Sequence, residues 1–242
     1  YHYDEVEDMS YGVEVFVSDG TEKGTNILIN ASGTESSYPE QITSVDGTAY
    51  FVIDDEQLWK SNGKEKGTVL VYDAGDDIDE LTSVGKYLYF VVNGEILYRT
   101  NGTEAGTEEI EDFGDHVDEL TNVNGTLFFA VDNWALYTCV GTTTNEVNNG
   151  FDGVEQLTAV GGICFFVEDD DILHSSDGTG TTYIADENNL DELTAVGNML
   201  YFVVDDDELW YSTASDATEL DSFPDDIDEL TNVNGTLFFR HD

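Results

Sequence analysis

The phrase Asp118-Glu119-Leu120-Thr121-Asn122-Val123-Asn124-Gly125-Thr126-Leu127-Phe128-Phe129 returns almost letter for letter at Asp228 to Phe239. Looser copies begin at Glu40, Asp79, Glu155 and Asp191. The Leu/Ile-Thr pair inside it falls at Ile42-Thr43, Leu81-Thr82, Leu120-Thr121, Leu157-Thr158, Leu193-Thr194 and Leu230-Thr231, in steps of 39, 39, 37, 36 and 37 residues. A repeat of this length is the size of a four-stranded propeller blade. No long segment carries apolar residues at helical spacing, which sets the helical repeats aside.

Each copy reads as four strands. The first, such as Glu80 to Val84, ends in a tight turn, Asp46-Gly47, Asn124-Gly125 or Asn234-Gly235. These dipeptides accept positive φ at both central positions and favour a two-residue hairpin. The second strand is apolar throughout, as in Leu88-Tyr89-Phe90-Val91-Val92 and Cys164-Phe165-Phe166-Val167, so it is covered on both faces. After an acidic turn the third strand follows, for example Gln57-Leu58-Trp59-Lys60-Ser61. The fourth, such as Thr107 to Ile110, is the most polar, as suits an outer edge.

The chain stops after two strands of a copy, at Phe238-Phe239-Arg240-His241-Asp242, and opens with the other two, Val13 to Thr21 and Gly24 to Ile29. The expected fold is therefore all-β: one domain over residues 1–242, a six-bladed propeller of four-stranded antiparallel blades, with one composite blade made from the two terminal half-repeats. Tyr1 to Gly12 is expected to be a loop. The half-repeats can meet within one chain, sealing the ring, or between chains, where a contact that does not close propagates a filament.

Charge narrows the function. The sequence has 53 Asp plus Glu against 7 Lys plus Arg, a formal charge of −46. Nucleic acid and anionic membranes need a basic footprint and are excluded as partners. Self-repulsion of this size calls for high ionic strength or bound cations. No apolar run approaches the ~18 residues of a membrane helix. The numbering begins at Tyr1 rather than Met, as at a processed N-terminus, so a signal peptide is expected to have been removed. Cys139 and Cys164 are the only cysteines; they read as one disulfide or as two buried thiols.

The segment Glu95-Ile96-Leu97-Tyr98-Arg99-Thr100-Asn101-Gly102-Thr103-Glu104-Ala105-Gly106-Thr107 resembles the ELWxxDGT repeat, as do Gln57 to Thr68 and Val15 to Thr25. The resemblance covers nearly the whole chain, although Val140 to Asn145 and Ser212 to Thr218 have lost the Asp-Gly-Thr core. It implies a β-propeller from an exported bacterial protein and an extracellular or cell-surface setting. It implies no reaction.

The candidate sites are these. Two residues before each Leu/Ile-Thr stands an acid: Glu40, Asp79, Asp118, Glu155, Asp191 and Asp228. If the first strands line a channel, these carboxylates form a ring suited to Ca²⁺; otherwise they splay into water. The acidic turns at Asp169 to Asp171 and Asp205 to Asp207 are further cation candidates, or plain solvated turns. Trp59 and Trp210 share one repeat position and would stack on sugar rings or pack between blades; Trp134 is the third indole. Asn30, Asn101, Asn124 and Asn234 head Asn-x-Ser/Thr sequons and are glycosylation acceptors or turn residues. His2, His116, His174 and His241 share no position. Ser-Asp-Gly at Ser18 and Ser176 is similar to the Asp-box of sialidase propellers. The aromatic that closes that box is missing, and Arg99 and Arg240 are too few for a substrate clamp.

Three functional readings follow. The first is a non-enzymatic extracellular structural or adhesive propeller, cation-stabilised and self-assembling into a filament through its half-blades. The second is a multivalent carbohydrate-binding propeller, and the third a calcium-dependent hydrolase. The expected partners are other copies of the chain or extracellular glycans.

Overall fold

The computed structural model describes residues 13–28 and 37–241, so Tyr1 to Gly12, with His2, and the sequon residue Asn30 lie outside the described residues. The chain opens with β1 (Phe16–Val17) and β2 (Asn26–Ile27), paired with each other. Blade 1 is β3 (Glu40–Val45), β4 (Thr48–Ile53), β5 (Gln57–Ser61) and β6 (Val69–Asp73). Blade 2 is β7 (Ile78–Val84), β8 (Tyr87–Val92), β9 (Ile96–Thr100) and β10 (Thr107–Asp112). Blade 3 is β11 (Val117–Val123), β12 (Thr126–Val131), β13 (Ala135–Val140) and β14 (Thr143–Asn149). Blade 4 is β15 (Val154–Val160), β16 (Ile163–Glu168), β17 (Ile172–Ser176) and β18 (Thr181–Asp186). Blade 5 is β19 (Leu190–Val196), β20 (Met199–Val204), β21 (Glu208–Ser212) and β22 (Ala217–Ser222). The chain closes with β23 (Ile227–Val233) and β24 (Thr236–His241).

Each complete blade is an antiparallel meander in chain order, so the fold is a β-propeller of four-stranded antiparallel blades. The sixth copy is divided between the two ends: β23 and β24 supply its inner half, β1 and β2 its outer half. Asn124 and Gly125 take φ of 50° and 92° in the first turn of blade 3, as a two-residue hairpin demands. The fourth strand persists where the Asp-Gly-Thr turn is lost, as β14 and β22.

The innermost strands pack in sequence, β3 on β7, then β11, β15, β19 and β23. Burial between blades explains the second strands that are apolar on both faces. One cluster joins Tyr89, Val91 and Leu97 of blade 2 to Val117, Leu120, Leu127 and Phe129 of blade 3. Fully burying one such side chain is worth about 1.5–3 kcal/mol.

An aromatic motif recurs at the boundaries of blades 1 and 2, 2 and 3, and 3 and 4. Phe90 stacks on Tyr98, with centroids 5.5 Å apart, and Tyr72 of the preceding blade leans on both. Phe129, Tyr137 and Phe113 repeat the arrangement. Phe166, His174 and Phe151 do so with an imidazole as the stacked ring. Trp210 lies against Phe202 at 6.3 Å.

The turn after the third strand is held by its own side chains. Asn101 Oδ1 accepts from the Thr103 amide and hydroxyl, and the Thr100 hydroxyl accepts from the Gly102 amide. Asp19 and Asp177 repeat the Asn101 role. Gly106 is glycine because a Cβ there would collide with the Asn101 amide.

Candidate functional site

The repeated Asp/Glu-Glu/Gln-Leu-Thr phrase builds the inner surface of the propeller. In blade 2, Asp79 pairs with Val91 and Thr82 with Tyr89, so Glu80 and Leu81 together oppose one residue. This is a β-bulge, and it recurs in the inner strand of every copy. The residue after the leading acid carries the unusual backbone. Gln41, Glu80, Glu119, Gln156, Glu192 and Glu229 have φ of 51°, 61°, 58°, 55°, 58° and 55°, a region that few non-glycine residues occupy.

The bulge takes the Leu amide out of the ladder, and the preceding blade supplies its partner. Gln41 Oε1 accepts from Leu81 N–H at 3.2 Å, Glu80 Oε2 from Leu120 at 3.0 Å, Glu119 Oε2 from Leu157 at 2.9 Å, and Glu192 Oε2 from Leu230 at 3.0 Å. The Thr of the same phrase donates to the same Leu carbonyl: Thr43 to Leu81 at 3.0 Å, Thr82 to Leu120 at 2.9 Å, Thr121 to Leu157 at 3.2 Å and Thr194 to Leu230 at 3.1 Å. The pair therefore clasps one residue of the next blade by both backbone groups, which a bulge would otherwise leave buried and unpaired. Blade 4 varies the clasp, with Gln156 Nε2 donating to the Leu190 carbonyl at 3.1 Å.

The leading acids lie inside the inner strands, one per blade, and their partners differ. Asp79 accepts from Gln41 Nε2 at 2.8 Å. Asp191 accepts from the Glu192 amide at 2.7 Å, and Asp228 bonds Arg240. Glu40 is exposed. Asp118 keeps one buried oxygen without a hydrogen-bond partner. Burial pushes its carboxyl up to about 6; Glu119 and Glu80 add to the rise, and His116, 3.6 Å away, opposes it. Burial also raises the Glu80 carboxyl, against the Leu120 hydrogen bond that lowers it. Burial raises Glu155 too, with Asp170 contributing. Among the described residues no three Asp, Glu, His or Cys side chains are grouped to hold one metal ion. Glu40, Asp79, Asp118, Glu155, Asp191 and Asp228, the residues expected to line a calcium ring, are spread one to each inner strand.

Trp59 and Trp210 are packing residues. Trp59 lies against the cluster of Val15, Leu28, Phe51 and Ile53, and its indole N–H donates to Gln57 at 3.1 Å. Trp210 belongs to the cluster around Phe202, and its N–H donates to Glu208 at 2.9 Å. Trp134 is exposed, beside Asp115, Asp132, Tyr137 and Glu146 in a cleft of about 330 Å³. Asn101, Asn124 and Asn234 are exposed turn residues. Cys139 and Cys164 are buried free thiols, and burial pushes Cys139 up to about 11.

The ends of the chain depart from this regularity. Ile42 is 66% exposed, whereas its counterparts Leu81, Leu120, Leu157 and Leu230 are 9%, 7%, 8% and 7% exposed. Val233 is exposed where Val45, Val84, Val123, Val160 and Val196 are buried. Phe238 is 56% and Phe239 36% exposed, and Phe16 at the other end is 57% exposed. The half-blades form separate two-stranded sheets; among the described residues β24 pairs with β23, and β1 with β2. The N-terminal half sits on blade 1: Val15 and Leu28 pack on Phe51 and Ile53, and the Ser37 hydroxyl bonds Glu14.

The recurring acid that heads the phrase is its most conspicuous residue, but the residue after it makes the inter-blade bond. The available signal was that Glu or Gln, and no Asp, occupies the second position in all six copies. Only the longer side chains reach across a blade boundary.

No known protein family and no curated protein sequence matches the chain. Solved structures do resemble it. The computationally designed Ika8 protein aligns with a TM-score of 0.64 at 12% identity, over 89% of this chain and 71% of that one. Human WBSCR16 aligns with a TM-score of 0.60 at 8% identity, over 91% and 76%. Yeast Prp20, solved bound to Kap60, gives 0.55 at 8% identity over 77% and 58%. At these identities the likeness is one of fold, and the class it defines together with the blades is the β-propeller scaffold.

Proposed function

We propose that the chain is a non-enzymatic structural module of an extracellular or cell-surface assembly, joined to copies of itself through its half-blades. One observation supports this reading: among the described residues Phe16, Phe238 and Phe239 are exposed, whereas the Phe239 counterparts Phe51, Phe90, Phe129, Phe166 and Phe202 are fully buried. An open strand edge with apolar side chains is a template for another chain. The clasping carboxylates serve the scaffold, since they are committed to backbone amides. The setting is supported by the resemblance to exported repeats and by a charge of −46, which suits salt-rich surroundings. Negative-stain images of the purified protein at high salt test the reading: strings of particles support it, and isolated particles at every concentration overturn it.

A carbohydrate-binding reading has one observation in its favour. Trp134 stands exposed among carboxylates at a repeat position where Glu56, Glu95, Asp171 and Asp207 occur elsewhere. An exposed indole flanked by hydrogen-bonding groups suits the apolar face of a sugar ring. Glycan-array binding that is lost in Trp134→Ala and retained in Trp59→Phe would support it.

A further inference from the structure

We propose that Asn93, at the turn between β8 and β9, is a site of self-modification: it loses its side-chain amide without an enzyme and becomes an acid, ahead of every other Asn-Gly pair in the chain.

Asparagine followed by glycine is chemically labile, because glycine has no side chain to hinder its nitrogen. In the reaction the glycine nitrogen forms a bond to the asparagine Cγ and gives up its proton. The bond from Cγ to the amide nitrogen breaks, and ammonia leaves carrying that proton. Water then opens the cyclic imide to aspartate or isoaspartate. No oxidant or reductant takes part. The nitrogen has to turn toward Cγ and release its hydrogen, so an acceptor that holds the N–H in place holds back the attack.

The chain has six Asn-Gly pairs, headed by Asn62, Asn93, Asn101, Asn124, Asn149 and Asn234. All six asparagines are exposed, so exposure does not separate them. Their glycine amides do. Gly63 N–H donates to Ser61 Oγ at 3.0 Å, Gly102 to Thr100 Oγ at 3.0 Å, Gly125 to Asn122 Oδ1 at 2.9 Å and Gly235 to Asn232 Oδ1 at 2.9 Å. Gly150 N–H donates to the Trp134 carbonyl at 3.1 Å. Among the described residues the Gly94 N–H has no acceptor. Asn93, Asn124 and Asn234 have φ of 55°, 50° and 51°. These three share one backbone conformation and differ in what guards the glycine nitrogen.

The repeat shows what the change produces. Strand pairing aligns Asn93 with Asp54, Asp132, Asp169 and Asp205, and Gly94 with Asp55, Asn133, Asp170 and Asp206. Blade 2 alone has an amide in the first place and a glycine in the second. Opening to aspartate installs the residue that the other four complete blades encode, and adds one negative charge to a chain at −46. The turn is tied on both sides: Asn93 N–H donates to the Asp77 carbonyl and the Gly94 carbonyl accepts from Val117 N–H, both at 2.8 Å. Aspartate keeps that main chain, whereas isoaspartate lengthens it where blade 2 meets blade 3.

The test follows all six pairs in the intact folded protein at mildly alkaline pH. Samples are taken over time, cleaved under mildly acidic conditions and read by mass spectrometry for exchange of amide for acid. Asn93 is expected to convert roughly tenfold faster than Asn124 and Asn234, a ratio equal to about 1.4 kcal/mol in barrier. In urea, where the fold guards no amide, the six rates are expected to come together. Asn122→Ala removes the acceptor of the Gly125 amide and is expected to bring Asn124 up toward the Asn93 rate. Because Asn122 also bonds the Ser83 carbonyl, Ser61→Ala, which frees the Gly63 amide, makes the same comparison at Asn62. A native-like circular dichroism spectrum qualifies each variant. An Asn93 that converts no faster than Asn124 and Asn234 overturns the proposal. So does an Asn93 that keeps its lead in urea, because the cause then lies in the neighbouring sequence and not in the fold. Guarded pairs whose rates stay low once the acceptor is removed overturn it as well.

Discussion

Glu80 Oε2 accepts the backbone N–H of Leu120 at 3.0 Å, across a blade boundary and 40 residues along the chain. Glu80 reaches it from a bulge at φ 61°. The same relation links Glu119 to Leu157 and Glu192 to Leu230. A positive charge balance is not what holds these blades together; directed carboxylate-to-amide bonds and interleaved aromatic rings are.

The clasp predicts an asymmetry between two substitutions. Glu80→Ala leaves the Leu120 amide without its partner and is expected to destabilise by ~1–3 kcal/mol. Glu80→Gln preserves the acceptor, as Gln41 does toward Leu81, and is expected to stay within ~0.5 kcal/mol. Urea unfolding at constant salt measures both. Equal losses would show that charge, not hydrogen bonding, is what matters at this position.

The raised carboxyls predict acid stabilisation. Asp118 titrates at about 6 in the folded protein against 3.8 when unexceptional. The folded state therefore binds the proton more tightly, and stability rises as pH falls through about 6 and is fully gained below 3.8. Glu80 shifts in the same direction, also through burial. The melting temperature is expected to be higher at pH 5 than at pH 7.5, and Asp118→Asn to raise it at pH 7.5 while reducing the difference. A melting temperature that falls steadily from pH 7.5 to 5 would contradict this.

Salt should act by screening. With a net charge of −46 and no grouped metal ligands among the described residues, the melting temperature is expected to rise with ionic strength. NaCl and CaCl₂ at matched ionic strength should act alike, and a chelator should change nothing. A selective rise at micromolar calcium would show a built cation site.

The three indoles should separate. Trp59 and Trp210 fill gaps between packed rings and strands; truncating either to Ala is expected to cost roughly 2–4 kcal/mol. Trp134 is exposed, and Trp134→Ala is expected to leave stability within ~0.5 kcal/mol. Thermal melts of the three variants decide it.

Blade count, strand order and the divided sixth copy were legible because each follows from a local pattern. Asn124-Gly125 announces its hairpin, Phe128-Phe129 its two-sided burial, and the steps between Leu-Thr pairs their repetition. The bulge was not legible: no glycine marks it, and Glu80 at positive φ gives no local sign of its conformation. Its reason lies 40 residues away, in the amide of Leu120. The leading acids read as a ring because they recur, and recurrence along the chain does not say how Asp79 and Asp191 are placed relative to each other. Trp59 and Trp210 were ambiguous for the opposite reason: the sequence shows an aromatic column, and only packing shows that the column faces inward.

Light scattering across protein concentration, on the native chain and on Phe239→Asp, tests most directly the claim that the sixth blade is completed by another copy. The native protein is expected to grow in multiples of 26.7 kDa as concentration rises. Phe239→Asp is expected to remain at one chain with an unchanged far-ultraviolet circular dichroism spectrum. A native protein that stays at a single chain at every concentration would contradict the account.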